Sequence, residues 1–106
     1  MIERGGVCWV EASGTRFPAV VVQADSFNRS RIPTVVVVPL ANNLRLLDAP
    51  GNVLVPAHGS GLGRETVANV AQVLTLERRQ VRETSGRLAT SVLQAIASGL
   101  ELVLGL

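Results

Sequence analysis

Residues 34–40 read Thr-Val-Val-Val-Val-Pro-Leu, and this stretch decides the fold class of the chain. Four consecutive valines are stiff at χ1 and fit a pleated strand better than a helix, and the run is shorter than most helices. The run is apolar throughout and lacks the alternation of a strand with one solvated face. It therefore predicts a strand that is buried on both faces.

The segments on either side of residues 34–40 also indicate strands. Three glycines within residues 59–63 predict a loop, because glycine inside an element costs backbone entropy. The polar stretch 25–31 predicts another loop, with room for one helical turn. The remaining predicted strands are residues 7–10, 18–22, 52–56, 66–70 and, less regularly, 72–76.

The apolar pattern changes to a three- and four-residue period near the C-terminus. This period predicts an amphipathic helix whose N-terminus is capped by Thr90 or Ser91, since Ser91 and Gln94 have the capping-box spacing. The apolar face consists of Leu93, Ile96, Ala97, Leu100, Val103 and Leu104. The sequence thus predicts one mostly β, α+β domain over residues 1–106: five to seven short strands in a small barrel, closed by a C-terminal helix.

The composition limits the classes of function. With 47% hydrophobic and 17% charged residues, the 106-residue chain supports one core and is not disordered. All ten basic residues are arginine, and the net charge is +2. Arginine suits phosphate oxygens, so a nucleic-acid partner is permitted without being required. The aliphatic content favours a homodimer.

The numbers of cysteines and histidines and the hydropathy of the chain exclude further classes of protein. One cysteine rules out an internal disulfide, and one cysteine with one histidine argues against a zinc site within a subunit. The longest apolar run, residues 35–41, is too short to span a membrane. No signal-peptide pattern opens the chain, so a cytoplasmic location is expected.

Arg78, Arg79 and Arg82 predict an exposed basic face.

Seven segments, in order from Arg4 to Leu106, resemble the MazF/PemK toxins. Residues 34–40 are similar to the family's third strand, and residues 4–10 (RGGVCWV) to its opening strand. The other segments are 18–25 (PAVVVQAD, with Asn28 following), 50–56 (PGNVLVP), 60–70 (SGLGRETVANV), 86–88 (GRL) and 102–106 (LVLGL).

The resemblance implies an SH3-like β-barrel of the CcdB/PemK type with a C-terminal helix, assembled as a homodimer. It also implies the toxin of a type II toxin–antitoxin system. Such a toxin is a metal-independent, sequence-specific endoribonuclease that cuts single-stranded RNA through attack of the 2′-hydroxyl and needs no cofactor. Its partner is a MazE-like antitoxin that lies across the RNA groove.

Three positions depart from the family pattern where the chemistry is expected. Phe17 occupies the place of an Arg before the proline of the second strand, and Arg16, one position earlier, becomes the leading catalytic candidate. Its guanidinium would stabilise charge on the phosphorane. Ala41 stands where relatives have Thr or Ser, which leaves Asn42 as the nearest polar substitute. Ala71 replaces an acidic residue of some relatives.

The candidates for RNA binding are aromatic, amide and loop residues. Phe17 is expected to stack on a base, as aromatic residues of single-strand binders do. Ser60 and the glycine loop offer N–H groups to a phosphate. Amide side chains suited to reading base edges are Asn28, Asn42, Asn69 and Gln72. His58 is the side chain whose ordinary pKa lies near neutrality, but it occupies no family position for catalysis.

Two alternatives stay open beside the endoribonuclease. One is a family member that binds antitoxin or RNA without cutting, because three expected positions carry other residues. The other is a gyrase-directed toxin on the same barrel, like CcdB, although residues 50–53 and 60–70 favour MazF.

Overall fold

The computed structural model describes all residues, 1–106, and contains seven strands and three short or medium helices. The strands are β1 (Gly6–Ala12), β2 (Thr15–Val21), β3 (Thr34–Ala41), β4 (Val53–Val55), β5 (Thr66–Ala68), β6 (Leu74–Glu77) and β7 (Val81–Arg87). The helices are α1 (Asp25–Asn28), α2 (Ala57–Ser60) and α3 (Thr90–Leu104), with 3₁₀ turns at Leu44–Asp48, Val70–Gln72 and Arg78–Gln80.

Strand β3 is the centre of the sheet. One of its edges pairs with β2, and the other is shared by β6 along residues 34–37 and by β5 at residues 40–41. All pairings are antiparallel, and the order across the sheet is β4-β5-β3-β2-β1-β7, with β6 joined to β3 beside this path. Because one strand serves three partners, the sheet curls into a half-barrel. This confirms the predicted mostly β fold with a terminal helix.

Two apolar clusters lie on opposite faces of the central strands. Neighbouring residues of β3 divide between them: Val37 packs in one cluster and Val38 in the other. The same division separates Val7 from Cys8 in β1. Val37 and Val38 are both completely buried, which confirms the prediction that residues 34–40 form a strand covered on both faces. Each fully buried valine contributes about 1.5–3 kcal/mol of transfer free energy.

Helix α3 covers one face of the sheet with its first two-thirds. Ile96 is fully buried, and Gly99 is buried where the helix backbone crosses the backbone of Gly51, so a side chain at residue 99 would collide with it. The helix begins at Thr90 after Ala89, without a side-chain cap. The prediction of a Thr90 or Ser91 cap is therefore wrong. None of the helices has the length and apolar character that crossing a membrane requires.

The loop of residues 59–63 is packed on β7 rather than free in solvent. The short helix α2 overlaps the start of this loop. It is interrupted by non-helical backbone at His58 and Gly59, as the glycine content predicts for this region. Gly61 has φ +76°, and a Cβ there would overlap the backbone of Ser85. Two glycine positions in this contact, Gly61 and Gly86, therefore let two stretches of backbone approach closely.

Arg78 does not belong to the exposed basic face predicted for residues 78–82. Arg79 and Arg82 are exposed, but Arg78 is only partly exposed and its guanidinium reaches back to the connection between β2 and β3. It donates hydrogen bonds to the carbonyl oxygens of Ile32 at 2.6 Å, Phe27 at 3.1 Å and Ser30 at 3.3 Å. The prediction is thus wrong for Arg78, whose guanidinium holds the connection between β2 and β3 in place.

Candidate functional site

The most prominent concave surface lies where β2 runs beside the C-terminal end of β3. Two adjoining cavities, of about 280 and 470 Å³, share Phe17, Leu40 and Ala41 as walls. We call this pair of cavities the Phe17 groove. Ala41 is paired with Val67 of β5, so the groove is bordered by three strands that are distant in sequence.

The walls of the Phe17 groove are largely apolar and aromatic. Trp9 and Leu62 line the smaller cavity, and Pro39 and Leu74 line the larger one. Phe17 is half-buried and contributes to both. Aromatic faces of this kind accept the flat faces of nucleobases irrespective of base identity.

The smaller cavity is also lined by polar groups. Asn42, Arg64 and Thr66 line it together, and neither cavity is lined by an acidic side chain. Arg64 is exposed and makes neither an ion pair nor a side-chain hydrogen bond within the chain. The groove therefore carries an uncompensated positive charge next to aromatic surface, which suits an anionic ligand with planar rings.

Thr66 is unusual among the polar residues of the groove. It is 2% exposed, and its Oγ1 is the one buried side-chain oxygen or nitrogen in the chain without a hydrogen-bond partner. A buried hydroxyl without a partner costs about 1–3 kcal/mol, so such groups are rare in folded proteins.

Arg16 lies beside the Phe17 groove and not in its wall. Its guanidinium stacks over the Trp9 ring, with 4.5 Å from Cζ to the ring centroid, and pairs with Glu83 at 3.0 Å. Trp9 is itself a wall of the smaller cavity. Arg16, the leading catalytic candidate, is thus separated from the groove by the Trp9 ring in this structure.

The groove brings together three of the residues predicted from the sequence. Phe17 lines both cavities, Asn42 the smaller one and Gln72 the larger one. The structure places Ala41 between them, where it offers a methyl group in place of the family hydroxyl. Ala71 is exposed and lines neither cavity.

Asn28 lies away from the groove in a closed hydrogen-bond network behind β2. Its amide nitrogen donates to Gln23 O at 2.9 Å and to Asp25 Oδ1 at 3.1 Å, and its amide oxygen accepts from Gln23 Nε2 at 3.0 Å. The hydrogen bond from the Arg4 backbone N–H, followed by that from Asn28, lowers the pKa of the Asp25 carboxyl. At 6% exposure, Asn28 serves the connection between β2 and β3.

Ser60 and Asn69 also have their side chains engaged inside the chain. Ser60 is fully buried; its Oγ donates to Ala57 O at 3.1 Å and accepts from Leu62 N at 3.2 Å. The amide oxygen of Asn69 accepts a hydrogen bond from Asn52 Nδ2 at 3.3 Å. His58, the titratable candidate, is exposed and outside the groove.

Sequence reasoning missed Arg64 and Thr66 as members of the site. Both lie in the segment 60–70 that carries the family resemblance, but nothing in their types or spacing distinguishes them from surface residues. The pairing of β5 with the end of β3 brings them beside Asn42. That pairing joins residues more than twenty positions apart, and the sequence gives no signal of it.

The fold and the groove define a class: a small curled β-sheet protein with a terminal helix and an arginine-bearing, acid-free groove suited to a nucleic-acid strand. Comparison with known proteins then identifies the family. Residues 3–104 match the model described as PemK-like, MazF-like toxin of type II toxin-antitoxin system. The chain belongs to this toxin family.

Several relatives align over the whole chain. Endoribonuclease MazF6 of Mycobacterium tuberculosis is 33% identical over 113 residues, which cover 100% of this chain and 99% of the relative. Endoribonuclease MazF of Staphylococcus epidermidis is 27% identical over 114 residues, covering 100% of this chain and 93% of the relative.

Solved structures of the family have the same fold. A mycobacterial endoribonuclease in complex with its cognate antitoxin superposes with a TM-score of 0.84 at 23% identity, covering 98% of this chain and 95% of the other. The MazE-MazF complex of Deinococcus radiodurans gives 0.81 at 24% identity, again covering 98% and 95%.

Proposed function

We propose that this chain is the toxin of a type II toxin–antitoxin system, a cytoplasmic endoribonuclease that cuts single-stranded RNA at specific sequences and thereby stops translation. The observation that carries the proposal is the Phe17 groove, an acid-free cleft with an unpaired arginine, in a chain whose full-length relatives are named endoribonucleases.

The proposed reaction is attack of the 2′-hydroxyl of one nucleotide on the adjacent phosphate. A bond forms between that oxygen and phosphorus, the bond to the 5′-oxygen of the next nucleotide breaks, and the proton of the 2′-hydroxyl is removed while the leaving oxygen gains one. RNA supplies its own nucleophile, so the protein's task is to hold the strand and to stabilise charge on the phosphorane. No metal ion is required for these tasks.

Arg16 is the proposed catalytic arginine, and its present contacts do not prevent that role. Its ion pair with Glu83 joins side chains that are 48% and 73% exposed, and such a pair is worth only about 0.2–1 kcal/mol. A phosphate bound near Trp9 would compete for the same guanidinium. Asn42 is proposed to assist from the wall of the groove.

The remaining proposed contacts follow the groove. Phe17 stacks on a base, and Gln72, which lines the larger cavity, hydrogen-bonds to a base edge. Asn28, Ser60 and Asn69 were proposed from the sequence as further RNA contacts; their internal hydrogen bonds favour a structural role instead.

The proposed partners are a second copy of the chain and a MazE-like antitoxin. Solved MazF structures in complex with an antitoxin share this fold, which supports the second partner. An antitoxin segment lying in the Phe17 groove would exclude RNA from it.

A second candidate function is binding of RNA or antitoxin without cleavage. It is favoured by Ala41, which brings no hydroxyl to the groove, and by the engagement of Arg16 with Glu83. Ala41 leaves the groove without the expected hydroxyl and the ion pair competes for Arg16, while Phe17 and Arg64 remain in the groove for binding.

Incubation of the purified protein with mixed cellular RNA in excess EDTA separates the two functions. The proposal predicts discrete fragments with 5′-hydroxyl ends, and the Arg16→Ala variant should cut about a hundredfold more slowly. Arg82→Ala is the matched control, because Arg82 is also an exposed arginine paired to a carboxylate, with Glu11 at 3.6 Å. Intact RNA that nevertheless co-purifies with the protein would favour binding without cleavage.

A further inference from the structure

We propose that Arg64 and Thr66 form a binding site for one phosphate group of the RNA strand, a site that rests on the proposed function and specifies it. Both residues line the smaller cavity of the Phe17 groove; Thr66 is the first residue of β5, and Arg64 lies two positions before it.

The unpaired hydroxyl of Thr66 is the first observation. Its Oγ1 is buried and has no hydrogen-bond partner in the chain, and Thr66 is one of the residues that line the smaller cavity. Rotation about the Cα–Cβ bond exchanges the hydroxyl with the methyl group among staggered positions, so the hydroxyl can meet a ligand in the cavity without movement of the strand. A ligand would therefore supply the hydrogen bond that folding leaves unmade.

The positive charge in the lining of the same cavity indicates which group of the ligand binds here. Arg64 lines the same cavity and has no ion-pair partner, while no carboxylate lines the groove. A guanidinium and a hydroxyl donor together match the oxygens of a phosphate better than they match a base edge.

The position of the pair also fits a nucleotide strand. Asn42 and Ala41 belong to the same cavity, and Phe17 continues the wall toward the larger one. A phosphate at Arg64 and Thr66 thus leaves the neighbouring base beside Phe17. In this chain, Thr66 supplies from β5 the hydroxyl that Ala41 does not supply from β3.

The test measures binding of a fluorescent pool of random-sequence, single-stranded oligonucleotides with 2′-fluoro groups, which lack the hydroxyl needed for cleavage. Thr66→Val keeps the shape and removes the hydroxyl; it should weaken binding about tenfold or more. Thr66→Ser retains the hydroxyl and should keep the wild-type affinity. Arg64→Gln should weaken binding similarly and reduce the salt dependence by about one phosphate contact.

The matched control is Arg31→Gln, which removes the charge of another exposed arginine without an ion pair, outside both cavities. It should bind as the wild type does. Thermal unfolding of the free protein provides a second readout: Thr66→Val should not lower Tm, because it removes an unpartnered buried hydroxyl. If the role of Thr66 were purely structural, Thr66→Val would lower Tm.

The outcomes separate this inference from the function on which it rests. If the wild type binds the pool and cuts RNA while Thr66→Val binds equally well, the phosphate site is wrong and the endoribonuclease stands. If the wild type neither binds the pool nor cuts RNA, both are wrong.

Discussion

Phe17 stands where the family pattern has an arginine, with Arg16 one position earlier, and neighbouring residues of a strand point to opposite faces. Phe17 lines both cavities of the groove, while Arg16 lines neither of them and stacks on Trp9. The sequence predicted both residues as functional from the family order. It could not predict that the arginine would be held by Glu83, because that contact links β2 with a strand 67 positions later.

Amide side chains show the limit of residue-level prediction most clearly. Asn28, Asn42 and Asn69 were equally good candidates for reading bases, yet only Asn42 lines the groove. An asparagine that closes a turn and one that faces a ligand have the same type and similar neighbours in sequence. Only the three-dimensional partner distinguishes them, as Gln23 does for Asn28.

Cys8 should be unreactive in the folded protein. Burial raises the pKa of its thiol from 9.0 to about 11. Thiol reagents at mildly alkaline pH should label it only after unfolding, since the thiolate is the nucleophile. Above pH 9 the unfolded thiol ionises first, so the free energy of unfolding should fall as pH rises from about 9 to 11.

The control for this prediction is Cys8→Ala, which should lose that part of the pH dependence. Measuring labelling by mass spectrometry and stability by urea titration checks both parts. Rapid, complete labelling under native conditions would contradict the buried position of Cys8.

Strands could be predicted from the sequence where the chain has a continuous apolar run. They could not be predicted where a strand has no apolar run and is recognisable only by its backbone pairing. Residues 34–40 predicted β3 because β-branched residues covered on both faces leave a continuous apolar run. β7, with the sequence VRETSGR, has no such run and was not predicted as a strand. It pairs with β1 through an irregular register, and most of its side chains are exposed or half-buried.

The connection between β2 and β3 should depend on Arg78. Its three hydrogen bonds to carbonyl oxygens hold this segment against the 3₁₀ turn before β7. Arg78→Ala should lower the free energy of unfolding by about 1–2 kcal/mol, allowing for partial solvation of the acceptors. Arg79→Ala, next in the chain and 76% exposed, should change it by less than about 0.5 kcal/mol. Urea denaturation measures both, and equal effects would contradict the distinction.

The groove is a property of the whole molecule. Its walls come from β1, β2, the end of β3, residues 62–66, Gln72 and the start of β6, which the curl of the sheet brings together. Composition and local pattern indicate the strands, but the division of one edge of β3 between β5 and β6 is set by tertiary packing. For this reason the sequence predicted the barrel and part of the site, while Arg64 and Thr66 emerged only from the structure.

The chain should form a homodimer in solution. Large apolar side chains remain exposed at the end of α3, with Leu102 at 62%, Leu104 at 55% and Leu106 at 85%. Apolar patches of this kind on small proteins commonly mark protein contacts. Light scattering coupled to size-exclusion chromatography should give twice the chain mass of 11.2 kDa. A mass of one chain at every concentration would contradict the homodimer.

The most direct test of the account is a crystal structure of the protein with a single-stranded oligoribonucleotide that lacks the 2′-hydroxyl at its cut site. We expect the strand in the Phe17 groove, with a phosphate bound by Arg64 and Thr66, a base on Phe17 and Arg16 released from Glu83 toward the RNA. RNA bound on another face, with the groove empty, would contradict it.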